Sequence, residues 1–268
     1  MIYKKKNKKV IINDENFILY NNDCFKELKK IEPKSVDMIF ADPPYFLSSG
    51  GVSCHSGRQV SVDKAEWDKA IAIDEKIKFN RKWIRLCREV LKDNGTIWIS
   101  GTFHNIYTIG TALELEGFAI INNITWQKPN PAPNLACRCF TNSTETILWA
   151  RKKLTPTKNG IHTFNYHLMK EINGGKQMKD VWLIPSVTRD EKKYGKHPTQ
   201  KPITLLERII LASTKEGDLI LDPFNGSGTT GVASIKLNRK YIGIDKELEY
   251  CELTRKRYND IINSINDL

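Results

Sequence analysis

The chain predicts an open, mainly parallel α/β sheet with helices on both faces, and three observations lead there. Seven short apolar runs, several rich in β-branched residues, read as buried strands. Longer amphipathic stretches lie between many of them, and strand alternating with helix is the pattern of a parallel sheet. One run, at 219–221, passes directly into a glycine turn that opens a helix.

In chain order the strand candidates are 17–20, 36–41, 96–100, 123–126, 146–150, 219–221 and 241–244. The stretch 79–91 places Trp83, Leu86, Val90 and Leu91 near one helical face, and Asp93-Asn94-Gly95 supplies a stop. Further helices are predicted at 203–213, 229–237 and 248–262. Two regions break the rhythm and read as long loops. One is 48–68, with Gly50, Gly51 and Gly57; the other is 152–196, with Pro156, Gly160, Gly174, Gly175 and Pro185. Loops this long inside a compact unit are usually functional or mobile. The expectation is one domain over 1–268, with insertions at about 46–80 and 130–196 facing a partner.

A chain of 268 residues can bury a full core. With 40% hydrophobic and 27% charged residues it has ordinary globular composition, and no apolar run approaches the roughly 18 residues that span a bilayer. The basic start of the chain lacks the apolar stretch of a secretory signal, so a cytoplasmic protein is expected. Its lysines, Lys4, Lys5, Lys6, Lys8 and Lys9, read first as a frayed, solvated terminus. A formal charge of +11 favours a polyanionic partner. Six cysteines without a CxxC pair, and five scattered histidines, form no zinc pattern, so reduced thiols and no metal are expected.

Two motifs bear chemistry. After the strand at 219–221 come Asp222, Pro223, Phe224, Asn225, Gly226, Ser227, Gly228, Thr229, Thr230 and Gly231. Glycines there let a ligand approach the backbone ahead of a helix N-terminus. The next strand ends at Asp245, whose carboxylate can accept bonds from both hydroxyls of a ribose; the plainer role is a helix N-cap. This pair alone does not separate NAD from S-adenosylmethionine. The second motif, Asp42-Pro43-Pro44-Tyr45, ends the strand at 36–41. The prolines stiffen the turn and leave the Pro43 carbonyl free. Asp42 and that carbonyl form two neighbouring acceptors at the strand's C-terminal edge, where open α/β sheets bind ligands. Tyr45 adds a flat ring suited to stacking on a base.

Such a pair suits an amino group on an aromatic ring. The nitrogen lone pair is delocalised, and two acceptors holding its hydrogens favour the pyramidal form that attacks a methyl group. Positive charge building on the nitrogen is stabilised by Asp42 in a dry pocket.

Asp42-Pro43-Pro44-Tyr45 preceding Asp222-Pro223-Phe224-x-Gly226-Ser227-Gly228-Thr229-Thr230 resembles the β group of DNA amino-methyltransferases of restriction–modification systems. The segments His197-Pro198-Thr199-Gln200-Lys201-Pro202, 126–133 and 144–149 resemble that group too, so the likeness covers about 17–258. It implies a Rossmann-like, seven-stranded methyltransferase sheet in permuted order, with S-adenosyl-L-methionine as cofactor and adenine N6, flipped from the duplex, as target. It further implies that Asp23 and Cys24 sit by the cofactor's adenine and that Lys201 meets its carboxylate. Asp23 also fits as an N-cap for a helix near Phe25. More narrowly, Phe46-Leu47-Ser48, Asp63-Lys64-x-x-Trp67-Asp68 and Asn105-Ile106-Tyr107 resemble the DpnA-type second methylases of GATC systems. That likeness implies GATC as target, tolerance of single-stranded as well as double-stranded DNA, and a homodimer.

Base readout needs Arg, Asn or Gln at base edges. Candidates are Arg58 and Gln59 in the first loop and Asn134, Arg138 and Asn142 after Pro133. The second long loop adds His162, Tyr166, Lys170, Lys176, Lys179 and Arg189. Rival readings are a cytosine-N4 methyltransferase, an RNA methyltransferase, and an inactive methyltransferase-like protein that binds nucleic acid. Asp rather than Ser at 42 favours adenine, and the intact acidic and glycine positions favour activity.

Overall fold

The computed structural model describes residues 9–46, 52–55, 58–61, 71–135, 137–154, 162–195 and 197–266, with backbone alone at 52–55, 58–61 and 265–266. Lys4, Lys5, Lys6 and Lys8 and the segments around Leu47, Ser48, Asp63, Lys64, Trp67 and Asp68 lie outside the described residues.

The strands are β1 (Val10–Asn13), β2 (Phe17–Asn21), β3 (Val36–Ala41), β4 (Val52–His55), β5 (Arg58–Ser61), β6 (Leu91–Gly101), β7 (Phe118–Gln127), β8 (Thr144–Lys152), β9 (Val181–Leu183), β10 (Leu219–Asp222) and β11 (Lys240–Asp245). The helices are α1 (Cys24–Glu27), α2 (Ile73–Val90), α3 (Ile106–Leu115), α4 (Tyr166–Ile172), α5 (Ile203–Ser213), α6 (Thr229–Lys236) and α7 (Leu248–Asn266). Nine strands form one sheet in the order β1-β2-β11-β10-β3-β6-β8-β7-β9. All seven predicted strands occupy its contiguous middle, and the two additions, β1 and β9, are its edges. Only β1 and β8 run against the others among the described residues.

The central strands are apolar on both sides because both faces are covered. In β3, Val36, Ile39 and Ala41 meet one layer with Trp83, Ile84 and Cys87 of α2 and Ile109 and Leu113 of α3. Met38 and Phe40 meet the other, with Leu205, Leu206, Ile209 and Ile210 of α5 and Ala233 of α6. Trp98 stacks on Trp149 at 4.7 Å in that second layer.

Four expectations change. α2 begins at Ile73 rather than 79, with Asp74 and Glu75 in its first turn, where acidic groups suit the helix dipole. Asp93-Asn94-Gly95 does not stop it; the helix runs straight into β6, which contains those residues. Gly95 is there for proximity, since a Cβ would lie 2.7 Å from the Asp37 carbonyl oxygen. The region read as a loop at 48–68 includes the β4–β5 hairpin, paired Val52 to Ser61 and His55 to Arg58. Lys9 is no solvated tail: its backbone carbonyl accepts from Asn21 N–H at 2.8 Å and its ammonium donates to Asn22 at 3.0 Å. α1 is the helix expected near Phe25, whereas α3 and α4 are elements the sequence did not suggest.

Candidate active site

The register brings several strand ends to one edge. Ala41 of β3 lies beside Ile99 of β6, and Gly101 lies beside Thr146 at the start of β8. Gln127, ending β7, pairs Thr144 and neighbours Leu183, ending β9. β10 and β11 end there as well, parallel to β3. The chain leaving this edge forms a cavity of about 270 Å³. Asp42, Pro43, Pro44 and Tyr45 line it together with Asp222, Pro223, Phe224, Gly226, Ser227, Thr229, Thr230 and Asp245. Asp23, Cys24 and Lys201 line the same space, so the two motifs face one cavity.

At the catalytic motif, Asp42 Oδ1 accepts from the Tyr45 hydroxyl at 2.6 Å and the Ser100 hydroxyl at 2.5 Å. Its Oδ2 accepts from the Lys201 ammonium at 2.5 Å. Lys201 also donates to the Tyr45 hydroxyl at 2.8 Å and the Thr199 carbonyl at 3.1 Å. It is buried, so neither solvation nor a free approach to a cofactor describes its present state. Burial works against its charge, and Asp42 and Glu145 outweigh that and raise its pKa. Burial and the Asp42 charge push the Tyr45 phenol well above its usual value. Among the described residues no protein donor takes the Pro43 carbonyl. Asn105, buried at the start of α3, donates to the Pro44 carbonyl at 3.2 Å and fixes the turn. Phe46 closes it in left-handed backbone, φ 57°. A bulky residue there costs roughly 1–3 kcal/mol, a strain held at functional turns.

At the glycine turn, Asp222 accepts from Phe224 N–H at 3.0 Å and the Thr230 hydroxyl at 2.6 Å. Asp245 accepts from Gly226 N–H at 2.6 Å and Glu247 N–H at 2.9 Å, so it ties the turn to the start of the following segment while facing the cavity. Burial pushes both carboxyls up to about 7. Gly228 caps α6 at φ 73°, and a Cβ on it would sit 2.4 Å from Thr254 Cγ2. Asp23 occupies the N-cap position of α1 without a side-chain cap bond, which leaves its carboxylate to the cavity.

Further residues complete the site: Phe46, Glu145 and His197 fall in segments that carry the family resemblance without an individual role, whereas Phe79 and Arg257 carry no signal of their own. Phe25, Phe46 and Phe79 join Phe224 as an aromatic wall, with Phe46 and Phe79 edge to face at 5.5 Å. His197 lines the cavity, and burial and Lys201 push it down to about 4. Glu145 faces Lys201 at 3.7 Å. Burial raises the Glu145 pKa, but Lys201 and Lys128 outweigh it and hold it below the usual carboxylate value. Arg257 braces the glycine turn, donating to Ser227 O at 2.7 Å and Thr229 Oγ1 at 2.9 Å. Ser100 had a usable signal, since it ends a predicted strand; the others depend on which strands lie side by side.

Among the suggested DNA contacts, Asn134, Arg138 and Asn142 lie in the exposed segment 128–143, which leaves the catalytic edge between β7 and β8. The Asn134 amide is already used, donating to the Cys139 carbonyl at 2.7 Å and so shaping that loop. Arg58 and Gln59 are in β5. The region 152–196 divides. Residues after β9, including Arg189, leave the catalytic edge. Asn165, before α4, bonds Leu211 O and Thr214 O at 2.7 and 2.8 Å, at the far end of α5 and the opposite edge. His162 packs edge to face on Trp149 at 5.2 Å, and Tyr166 and Lys170 belong to α4. Among the described residues no group of three His, Cys, Asp or Glu could hold a metal, and no helix is long and apolar enough to cross a membrane.

A mostly parallel sheet whose acidic motif and glycine turn face one cavity is the setting of an enzyme with a nucleoside cofactor. A family model described as DNA methylase matches residues 36–256, which makes that class the methyltransferases, and the chain belongs to this DNA methylase family. It is 65% identical over 245 residues to the type II methyltransferase M2.DpnII of Streptococcus pneumoniae, covering 91% of this chain and 90% of that one. It is 54% identical over 249 residues to the type II methyltransferase M2.MboI of Moraxella bovis, covering 93% and 90%. A solved M1.HpyAVI–SAM complex superposes with a TM-score of 0.67 at 30% identity, covering 91% of this chain and 99% of that one. The cytosine-N4-specific PvuII DNA methyltransferase shares the fold, with a TM-score of 0.74 at 19% identity over 94% of this chain and 89% of the other. The chain is thus a site-specific DNA methyltransferase of the restriction–modification type.

Proposed function

We propose that the protein transfers a methyl group from S-adenosyl-L-methionine to N6 of adenine within GATC, in the DNA of the cell that contains it. The observation behind this is the shared cavity of Asp42–Tyr45 and the glycine turn. The residues fit the cofactor. Asp23, Asp42, Asp222 and Asp245 all face the cavity, a setting suited to a cationic sulfonium and ribose hydroxyls. Gly226 has a left-handed φ of 50°, and a Cβ there would lie 3.2 Å from the His197 ring that lines the cavity, so glycine suits the turn. When bound, the cofactor supplies an activated methyl on sulfur, so no covalent enzyme intermediate is needed.

Asp42 and the Pro43 carbonyl accept the two hydrogens of the target amine and orient its lone pair. Tyr45 and the aromatic wall receive the base and exclude water, which strengthens the field of Asp42 on the developing positive charge. Asp at 42 selects adenine in this reading, and the likeness to second methylases of GATC systems supplies the sequence. Asn134, Arg138 and Asn142, with Arg58 and Gln59, serve the DNA side, single-stranded and double-stranded DNA are both accepted, and the protein acts as a homodimer. Residues 1–268 act as one domain with DNA-facing insertions.

Incubation with tritiated cofactor and GATC-containing DNA, followed by nucleoside mass analysis, tests the reading. N6-methyldeoxyadenosine is expected. Finding N4-methyldeoxycytidine alone would overturn it.

A further inference from the structure

Asp42, the acceptor that the proposed reaction needs, is fully engaged. Both of its oxygens hold protein donors, and Lys201 sits on Oδ2 at 2.5 Å while bonding the Tyr45 hydroxyl at 2.8 Å. An incoming amine meets an ammonium where its own N–H should go. The nitrogen would also gain positive charge beside a second cation in a low-dielectric pocket, which opposes transfer.

A receiver for that ammonium stands ready. Glu145 Oε1 is held by Lys128 at 2.6 Å, whereas the buried Oε2 has no hydrogen-bond partner and lies 3.7 Å from Lys201 Nζ. A buried carboxylate oxygen left without a donor is uncommon and calls for an explanation. Moving Nζ by about 1 Å would make that bond, within the reach of a flexible lysine.

We propose that Glu145 is a positioning residue: as the target amine enters, the Lys201 ammonium passes from Asp42 Oδ2 to Glu145 Oε2 and vacates the acceptor. The proposal rests on reading Asp42 as the amine acceptor. Lys201 is the counterion of Asp42 in the ligand-free site, where a buried lone carboxylate would be costly. Glu145 is its counterion once the base is bound. The charged and titratable groups facing Lys201 are Asp42 and Tyr45 after β3, Glu145 on β8 with Lys128 behind it, and His197 on its own segment.

Glu145→Gln keeps the shape and removes the receiving charge. At pH 7.5 its kcat on a GATC duplex should fall tenfold or more, with cofactor Kd changed less than twofold. Its rate should then climb with pH more steeply than the wild type's, because Lys201 with one carboxylate fewer gives up its proton sooner and releases Asp42. Glu145→Asp should restore much of the rate. A Glu145→Gln kcat within twofold of wild type, or a loss that neither pH nor Glu145→Asp relieves, overturns the proposal. Independently of any variant, a crystal structure with DNA and a non-reactive cofactor analogue should show Lys201 Nζ bonded to Glu145; finding it still on Asp42 overturns it too. Asp42→Ala is read in the same assay, so a failed premise shows as transfer retained there and a failed proposal shows in the Glu145 variants.

Discussion

Asp245 is a carboxylate whose proton is set by burial. Among the described residues two backbone N–H groups offset its desolvation, and burial pushes its pKa up to about 7, as it does that of Asp222. A folded-state value above the unfolded one means that the folded protein holds the extra proton. The stability this contributes is full below the unfolded value near 3.8 and is lost as pH rises through 7. Ribose hydroxyls and a sulfonium favour the ionised form, so cofactor binding should release protons. Affinity should therefore rise as pH goes from 6 to about 7 and then level, with proton uptake by buffer visible in calorimetry; Asp245→Asn should flatten the profile. A Kd constant between pH 6 and 8 would remove Asp245 from the cofactor's partners. Asp42 predicts differently. Asp42→Ala should abolish transfer while leaving cofactor affinity nearly intact, and a loss smaller than about tenfold, roughly 1.4 kcal/mol, would refute its assigned role.

At the scale of elements, the turn between β10 and α6 shows why backbone position, not composition, decides. Gly174 and Gly228 both have left-handed φ, 64° and 73°, yet a Cβ at Gly174 meets nothing within 4 Å while one at Gly228 lies 2.4 Å from Thr254. Gly174→Ala should cost only the left-handed penalty, about 1–2 kcal/mol. Gly228→Ala adds overlap of about 1–3 kcal/mol and should lower Tm by clearly more, with weaker cofactor binding. Equal Tm shifts would show that Thr254 yields freely. The same contrast explains what could be read from the chain. Strands such as 36–41 and 219–221 are apolar on both faces and legible at once. β9 has three residues, two of them exposed, and β4–β5 lies in a polar stretch, so periodicity carried little signal. In the site, Asp42–Tyr45, the glycine turn and Asp245 were legible because each ends a strand. The contacts of Ser100 and Lys201 with Asp42, and of Glu145 with Lys201, were not, because they arise from β6 lying next to β3, β8 next to β6, and the segment before α5 folding over that edge.

For the whole molecule, a net charge of +11 says that a polyanion is attracted but not where it binds. The sheet divides the surface. Residues 128–143 leave the edge that bears the cavity, whereas α4 and the 214–218 turn sit at the other edge. If DNA binds over the cavity, position should outweigh total charge. Arg138→Ala removes one unit at the catalytic edge and should reduce the slope of log Kobs against log salt by about 1. Lys170→Glu with Lys215→Glu removes about four units at the opposite edge, where both lysines are exposed, and should leave that slope within error. Fluorescence anisotropy with a labelled GATC duplex between 50 and about 200 mM salt reads both slopes. Were the double variant to lose more slope than Arg138→Ala, attraction would follow net charge, and the catalytic edge would not be the face that DNA contacts.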